Sequence, residues 1–190
     1  MKTSPSANLS VGLVHWPILD KSGKIVATNV TNLDVHDIAR ACRVYDVPRY
    51  FVIHPMKEQL MFVSRLLDFW RVGGGSRYNP MRKTALTPVL TAESIEKVRS
   101  VLPASTRVVA TSARQGLEAP APITFQELKE SLEAQPTLLL FGTGFGLSPD
   151  ALAACDFVLE PIRGVGPSDY RHLSVRSAVS ICLDRLLGTW

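Results

Sequence analysis

No apolar run in this chain approaches the roughly 20 residues that a membrane span requires, and the opening MKTSPSANLS lacks the apolar stretch of a secretory leader. Both absences point to a soluble, cytoplasmic protein. Cysteine is scarce: Cys42, Cys155 and Cys182 lie far apart inside apolar segments, which excludes a CxxC knuckle or a disulfide framework and predicts buried free thiols. The four histidines, His15, His36, His54 and His172, show no zinc-ligand spacing, so no metal is expected. Neither GxxxxGK[ST] nor GxSxG occurs, which disfavours a P-loop nucleotidase and an α/β-hydrolase. Internal repeats and low-complexity linkers are also missing. With 190 residues, 46% of them apolar, the chain reads as a single domain, 1–190, with residues 1–9 frayed.

Charge is present but unevenly placed. Residues 1–83 carry 12 Lys and Arg against 6 Asp and Glu, a net +6, whereas residues 84–190 carry 9 against 11, a net −2. Between Arg65 and Lys83 the bases Arg65, Arg71, Arg77, Arg82 and Lys83 face a single acid, Asp68. Fourteen of the 21 basic residues are Arg, which pairs bidentately with phosphate and stacks on bases. The stretch therefore reads as an anion-binding face, RNA included, beside the plainer reading of a solvated surface.

Periodicity alternates between strand and helix. SVGLVHWPI (10–18), RYFVIHP (49–55), TRVVATSA (106–113), PTLLLFG (136–142) and CDFVLEPI (155–162) read as buried strands. Between them, Val35, Ile38, Ala39 and Cys42 recur at helical spacing behind Asp34 as N-cap. KEQLMFVSRLLDFWRV forms a second helix that GGG (73–75) stops, with a loop after it. TAESIEKVRSVL is a third helix, and Thr124 with Glu127 fits a capping box for a fourth. SPDALAA opens on Ser148 and Pro149 as cap and first turn, and Val175 to Leu186 carries an apolar stripe that Gly188 ends. Apolar strands alternating with helices predict an α/β fold: a mostly parallel sheet with helices on both faces.

Three loops follow three of these strands: TSARQG (111–116), FGTGFGLS (141–148) and PIRGVGPSDYRHLS (161–174). In an open α/β sheet, loops at the carboxyl ends of strands form the ligand crevice, and glycine lets a ligand approach the backbone. FGTGFGLS invites a Rossmann reading as a nicotinamide-dependent oxidoreductase, but the third fingerprint glycine falls on Leu147, the helix after it is short, and the motif lies late in the chain. A purely structural turn is the other alternative.

Taken together, TSARQG, GTGFG, PIRG and HLSVRSA followed by VSICLDRL resemble the three cofactor loops and last helix of the SPOUT, or α/β-knot, RNA methyltransferases, in particular their small stand-alone bacterial members. TNLDVHDIARACRVYDVPRYFVIHP also resembles the N-terminal motif of the ribose-methylating branch, whose arginine falls on Arg40. His172 stands where that branch commonly has Ser, and Ser174 where it has Asn, so ribose oxygen and base nitrogen both stay open as acceptors.

The resemblance implies a C-terminal trefoil knot, a homodimer and S-adenosylmethionine as methyl donor to tRNA or rRNA, with a non-catalytic RNA-binding module as the alternative. It implies a cofactor pocket built from Thr111, Ser112, Ala113 and Arg114; from Phe141, Gly142, Thr143, Gly144, Gly146 and Leu147; and from Pro161, Ile162, Arg163 and Gly164. Tyr170, His172, Leu173, Ser174 and Ala178 complete it, with Leu147, Ile162 and Leu173 as apolar walls. Arg40 would orient the acceptor, and Asp169 or His172 would take its proton. Arg71, Arg77, Tyr78, Asn79, Arg82 and Lys83 would grip RNA through phosphate contacts and stacking.

Overall fold

The computed structural model describes residues 4–114, 120–166 and 170–189. Among these a seven-stranded sheet runs in the order β5-β4-β1-β8-β6-β9-β7, every neighbouring pair parallel. Its strands are β1 (Leu9–Val14), β4 (Arg49–Ile53), β5 (Val89–Ala92), β6 (Arg107–Thr111), β7 (Ala121–Ile123), β8 (Thr137–Gly142) and β9 (Phe157–Leu159). A separate antiparallel hairpin pairs β2 (Ile18–Leu19) with β3 (Ile25–Val26). The helices are α1 (Asn32–Val44), α2 (Lys57–Arg71), α3 (Gly74–Tyr78), α4 (Pro80–Ala85), α5 (Ile95–Val101), α6 (Phe125–Ser131), α7 (Pro149–Ala153) and α8 (Val175–Leu187).

The two-residue period of a strand explains the layering. Along β8, Leu139 and Phe141 enter one core while Leu138 and Leu140 enter the other. On β4, Tyr50 and Val52 join the first and Phe51 and Ile53 the second. The first core is closed by α1, α2, α6 and α8 through residues such as Ile38, Val63, Leu128 and Leu183, and the second by α5 and α7 through Val98 and Leu152. Central strands buried on both faces read as unbroken apolar runs, which is why PTLLLFG is so plain in the sequence. Gly12 has no room for more: a Cβ there would stand 2.6 Å from the Leu140 side chain across the ladder.

Some boundaries differ from the sequence reading. Thr31, not Asp34, caps α1: its hydroxyl accepts the Asp34 amide, and the Asp34 carboxylate is thereby freed for a contact described below. The stretch after GGG is helical, because Asn79 caps α4 and Gly75 sits where a Cβ would strike the Trp70 ring at 2.6 Å. TAESIEKVRSVL gives its first residues to β5, and α5 starts behind Ser94. Order begins earlier than expected: Pro5–Asn8 form a 3-10 turn with Ser6 buried, and the Asn8 amide donates to the Leu132 carbonyl. The capping box at Thr124 and Glu127, the Ser148 cap and the stop at Gly188 stand as expected. No helix among the described residues is long and apolar enough to cross a membrane.

Leu139 is fully buried on the central strand. Leu139→Ala is expected to destabilise the fold by about 2–5 kcal/mol through lost contacts and an unfilled cavity. The check is urea unfolding, with the midpoint lowered and the slope unchanged.

Candidate functional site

Because all seven strands are parallel, the carboxyl ends of β1, β8, β6 and β9 open on the same side. A cavity of about 920 Å³ lies there, near the top of the size range of small-molecule sites. Thr111, Ser112, Ala113 and Arg114 line it after β6, Phe141 to Gly146 after β8, Pro161 and Ile162 after β9, and His172, Leu173, Ser174 and Ala178 at the entry to α8.

The Gly-rich loop is fixed by its backbone. Gly144 and Gly146 have φ of +54° and +93°, which side-chain-bearing residues rarely adopt. A Cβ on Gly142 would stand 2.8 Å from the Leu147 amide, so the turn closes only on glycine. The β2–β3 hairpin zips onto this loop: Phe145 N–H donates to Leu19 C=O at 3.0 Å, and Leu19 N–H to Gly146 C=O at 2.9 Å. From the other side the Arg114 guanidinium donates to the carbonyls of Phe145 and Leu147 at 2.6 and 3.2 Å. Arg114 thus borders the cavity while holding the loop in place.

Behind the loop sits a polar chain. Thr143 Oγ1 bonds Thr28 Oγ1, and Thr28 Oγ1 bonds His15 Nδ1 at 3.0 Å. His54 accepts the Met56 amide at Nδ1, so its Nε2 carries the proton and donates to the Thr28 carbonyl at 3.1 Å. His15 is fully buried, and its Nε2 has no hydrogen-bond partner among the described residues. Burial, and then the neighbouring His54, push its pKa down to about 4, so it is neutral in the folded protein at ordinary pH.

A second polar cluster forms the opposite wall. Asp34, buried at the first turn of α1, accepts the Thr31 hydroxyl at 2.6 Å and Arg176 Nη1 at 2.7 Å; Arg176 Nε reaches Asp37 at 3.4 Å. Asp34 and Arg176 both line the cavity, together with Leu19, Asp20, Lys21, Thr28, Asn29 and Thr31. None of these was read from the sequence as a site residue. Arg176 sits inside the HLSVRSA pattern, where attention to its charge could have found it; Asp34 carries no local signal, since its partner lies 142 residues away.

Other expected site residues fall differently. Leu147 is buried in the second core beneath the loop and does not face the cavity. Arg163 and Gly164 are exposed and lie outside the lining, as does Tyr170, whose ring stands edge-on to His172. Arg40 is exposed on α1, six residues beyond Asp34 and hence turned roughly 120° away from it. It does not line the cavity, and Asp37, on the same helix, holds Arg176. Asp169 lies outside the described residues. On the basic face, the Arg71 guanidinium is spent on the carbonyls of Leu86 and Val89, at 2.6 and 2.7 Å, and Asn79 caps α4. Arg82 stacks over the Trp70 ring at 4.4 Å, and Arg77, Tyr78 and Lys83 are exposed. The three cysteines are buried as free thiols, with burial pushing Cys42 and Cys182 up to about 12 and Cys155 to about 11. Among the described residues no group of three or more His, Cys, Asp or Glu converges to hold a metal.

With this geometry in hand, the profile of the SAM-dependent RNA methyltransferase family matches residues 8–188. The chain belongs to that family. It is 39% identical over 188 residues to a tRNA (guanine-N(1)-)-methyltransferase from Oleidesulfovibrio alaskensis, a match covering 97% of this chain but 43% of that protein. The chain thus spans less than half the length of that relative. Among solved structures it is similar to a "probable methylase family protein" from Haemophilus influenzae Rd KW20, with TM-score 0.63, 19% identity, and 95% and 65% of the two chains covered. It is also similar to a TrmH/SpoU tRNA modifying enzyme from A. aeolicus, with TM-score 0.56, 18% identity, and 95% and 74% covered. These likenesses establish the SPOUT fold. The Rossmann alternative falls with them, and for a physical reason as well: the helix after the Gly-rich loop, α7, has five residues, too few to present a long helix terminus to a pyrophosphate.

The residues present fit S-adenosylmethionine. Leu159, Ile162, Leu173 and Ala178 supply apolar surface for an adenine plane, the loop backbones supply polar groups for a ribose, and the carboxylates of Asp20, Asp34 and Glu160 border the cavity, which suits a cationic sulfonium.

The low pKa of His15 makes stability fall with acid. The unfolded chain takes up the imidazole proton near pH 6.5 and the folded one only near pH 4, so stability contributed by neutral His15 is complete above pH 6.5 and is lost between these values, on the order of 3 kcal/mol. Chemical denaturation at pH 7 and pH 4.5 should show the loss, and His15→Gln should flatten it.

Proposed function

We propose that this protein transfers the methyl group of S-adenosylmethionine to a nucleotide of tRNA or rRNA in the cytoplasm, as a homodimer whose residues 1–190 form a single methyltransferase domain. The observation that carries the reading is the cavity itself: three strand-end loops of a family-matched fold converge on one space lined with apolar surface and carboxylates. The bound cofactor supplies an activated methyl on a sulfonium. Around it, the Gly142–Gly146 backbone, Thr111 to Ala113, Pro161, Ile162 and Leu173 hold the nucleoside and exclude water, while His172, which lines the same cavity, takes the acceptor's proton. The 39% relative is named for a tRNA substrate, which favours tRNA over rRNA. Arg77, Tyr78 and Lys83, with Arg82 on its Trp70 platform, offer phosphate contacts and a stacking surface for the RNA. The C-terminal segment that supplies the third loop is proposed to thread the trefoil knot of the fold; part of it, residues 167–169, lies outside the described residues.

S-adenosylhomocysteine at about 100 times its Kd is expected to raise the melting temperature by about 5–10 °C, and NAD to leave it unchanged. Tritiated methyl transfer to RNA from cells lacking the protein should follow. A shift with NAD alone refutes the reading, and RNA binding without a cofactor shift replaces it with that of a non-catalytic module.

Arg40 enters this scheme through the dimer. Exposed, with no ion pair among the described residues and turned from its own cavity, it serves the other copy's. Arg40→Ala and Gly142→Val, the latter colliding with its own loop, should each abolish turnover, and mixing the two variants should restore a fraction of it. An active Arg40→Ala, or mixing without rescue, removes Arg40 from the shared site.

A further inference from the structure

We propose that the wall of the cavity formed by Asp34 and Arg176 reads the acceptor base, and that it selects a base whose edge presents a carbonyl beside a ring N–H, namely guanine or uracil. The proposal rests on the methyltransferase reading and names what that same site accepts.

Its first support is position. Asp34 stands on the first turn of α1 and Arg176 on the first turn of α8, and both border the space that the cofactor loops enclose. The second is valence. Arg176 engages Asp34 through Nη1 and Asp37 through Nε, which fixes the guanidinium plane; Nη2 has no partner among the described residues, and the side chain is 33% exposed. Each oxygen of Asp34 accepts one bond, Oδ1 from Arg176 and Oδ2 from Thr31, and a carboxylate oxygen has a second lone pair to offer. The wall therefore presents a held donor beside a held acceptor.

The third support is charge. Asp34 and Asp37 outweigh Arg176, so the cluster carries a net −1, and Asp34, its side chain only 7% exposed, is poorly screened. A phosphate would meet repulsion there despite the arginine. A ribose hydroxyl would use one half of the pair and leave the other unpaired. A neutral edge with C=O next to N–H satisfies both: the carbonyl accepts from Arg176 and the N–H donates to Asp34. Guanine and uracil carry such an edge; adenine and cytosine do not.

Mass spectrometry of the nucleosides methylated in RNA from cells lacking the protein tests the selection. Methyl on a guanosine or uridine nucleoside is expected, and methyl on adenosine or cytidine overturns the proposal. Absence of both transfer and an S-adenosylhomocysteine thermal shift overturns instead the reading beneath it. Arg176→Gln and Asp34→Asn separate recognition from scaffolding: each should keep the cofactor shift while raising KM for RNA about 10- to 100-fold, the loss of a paired base contact, with a smaller change in kcat. Arg176→Lys should recover part of that loss. Variants that keep wild-type KM, or that lose the cofactor shift together with activity in both substitutions, would show the pair to be structural.

Discussion

The structure depends above all on the parallel pairing of β8 between β1 and β6. Pairing sets Leu9 beside Thr137 and Val14 beside Gly142 on one flank, and Arg107 beside Thr137 on the other. This register brings three strands to the same edge in step, and it splits the side chains of β8 between two cores. A slip of one residue would reverse both faces at once, exchanging Leu139 and Phe141 for Leu138 and Leu140. The cavity is thus a consequence of register: Gly142, at the end of the ladder, is where the chain leaves the sheet and must turn without a side chain.

That turn is held from three directions by groups distant in sequence: the β2–β3 hairpin through backbone bonds, Arg114 through its guanidinium, and Thr28 through Thr143. Neutral His15 belongs to the same support. A buried imidazolium at Nδ1 would have to donate to the Thr28 hydroxyl and leave a charge without a countercharge in contact, so the network and the low proton affinity of His15 are two descriptions of one arrangement. On the far wall, the Asp34–Arg176 pair ties the first turn of α8 to that of α1, which joins the end of the chain to its first βα unit.

Much of this was legible in the sequence, for identifiable reasons. Strands buried on both faces appear as apolar runs, and caps such as Thr124 and Ser148 act over three residues, within the reach of local pattern. The three loops announced themselves through glycine and proline. What stayed hidden depends on partners far along the chain. Asp34 looks like an N-cap until Thr31 takes that role and Arg176 takes the carboxylate. Arg71 looks like part of a basic patch until the carbonyls of Leu86 and Val89 claim it, because unpaired backbone oxygens do not show in a sequence. Leu147 looks like a cofactor wall because it ends a Gly-rich motif, yet the hairpin it packs on was not foreseen. Three-residue β7 and the two-residue strands of the hairpin carry too little pattern to be read at all.

The charge distribution follows from the same division between inside and outside. A sulfonium donor needs negative or polar groups around it, and a polynucleotide needs positive ones. The two demands conflict if they are met at the same depth, since a carboxylate near the RNA would repel it. Here the acids that border the cavity include Asp34, held in the fold and compensated in part by Arg176, whereas Arg77 and Lys83 stand on exposed helices built from the basic first half of the chain. At ordinary ionic strength exposed charges are screened beyond roughly 10 Å, so a buried carboxylate acts on a ligand beside it more strongly than on charges held out in solvent. A modest net charge of +4 is therefore compatible with a polyanionic substrate, because what counts is the sign at each depth and not the sum.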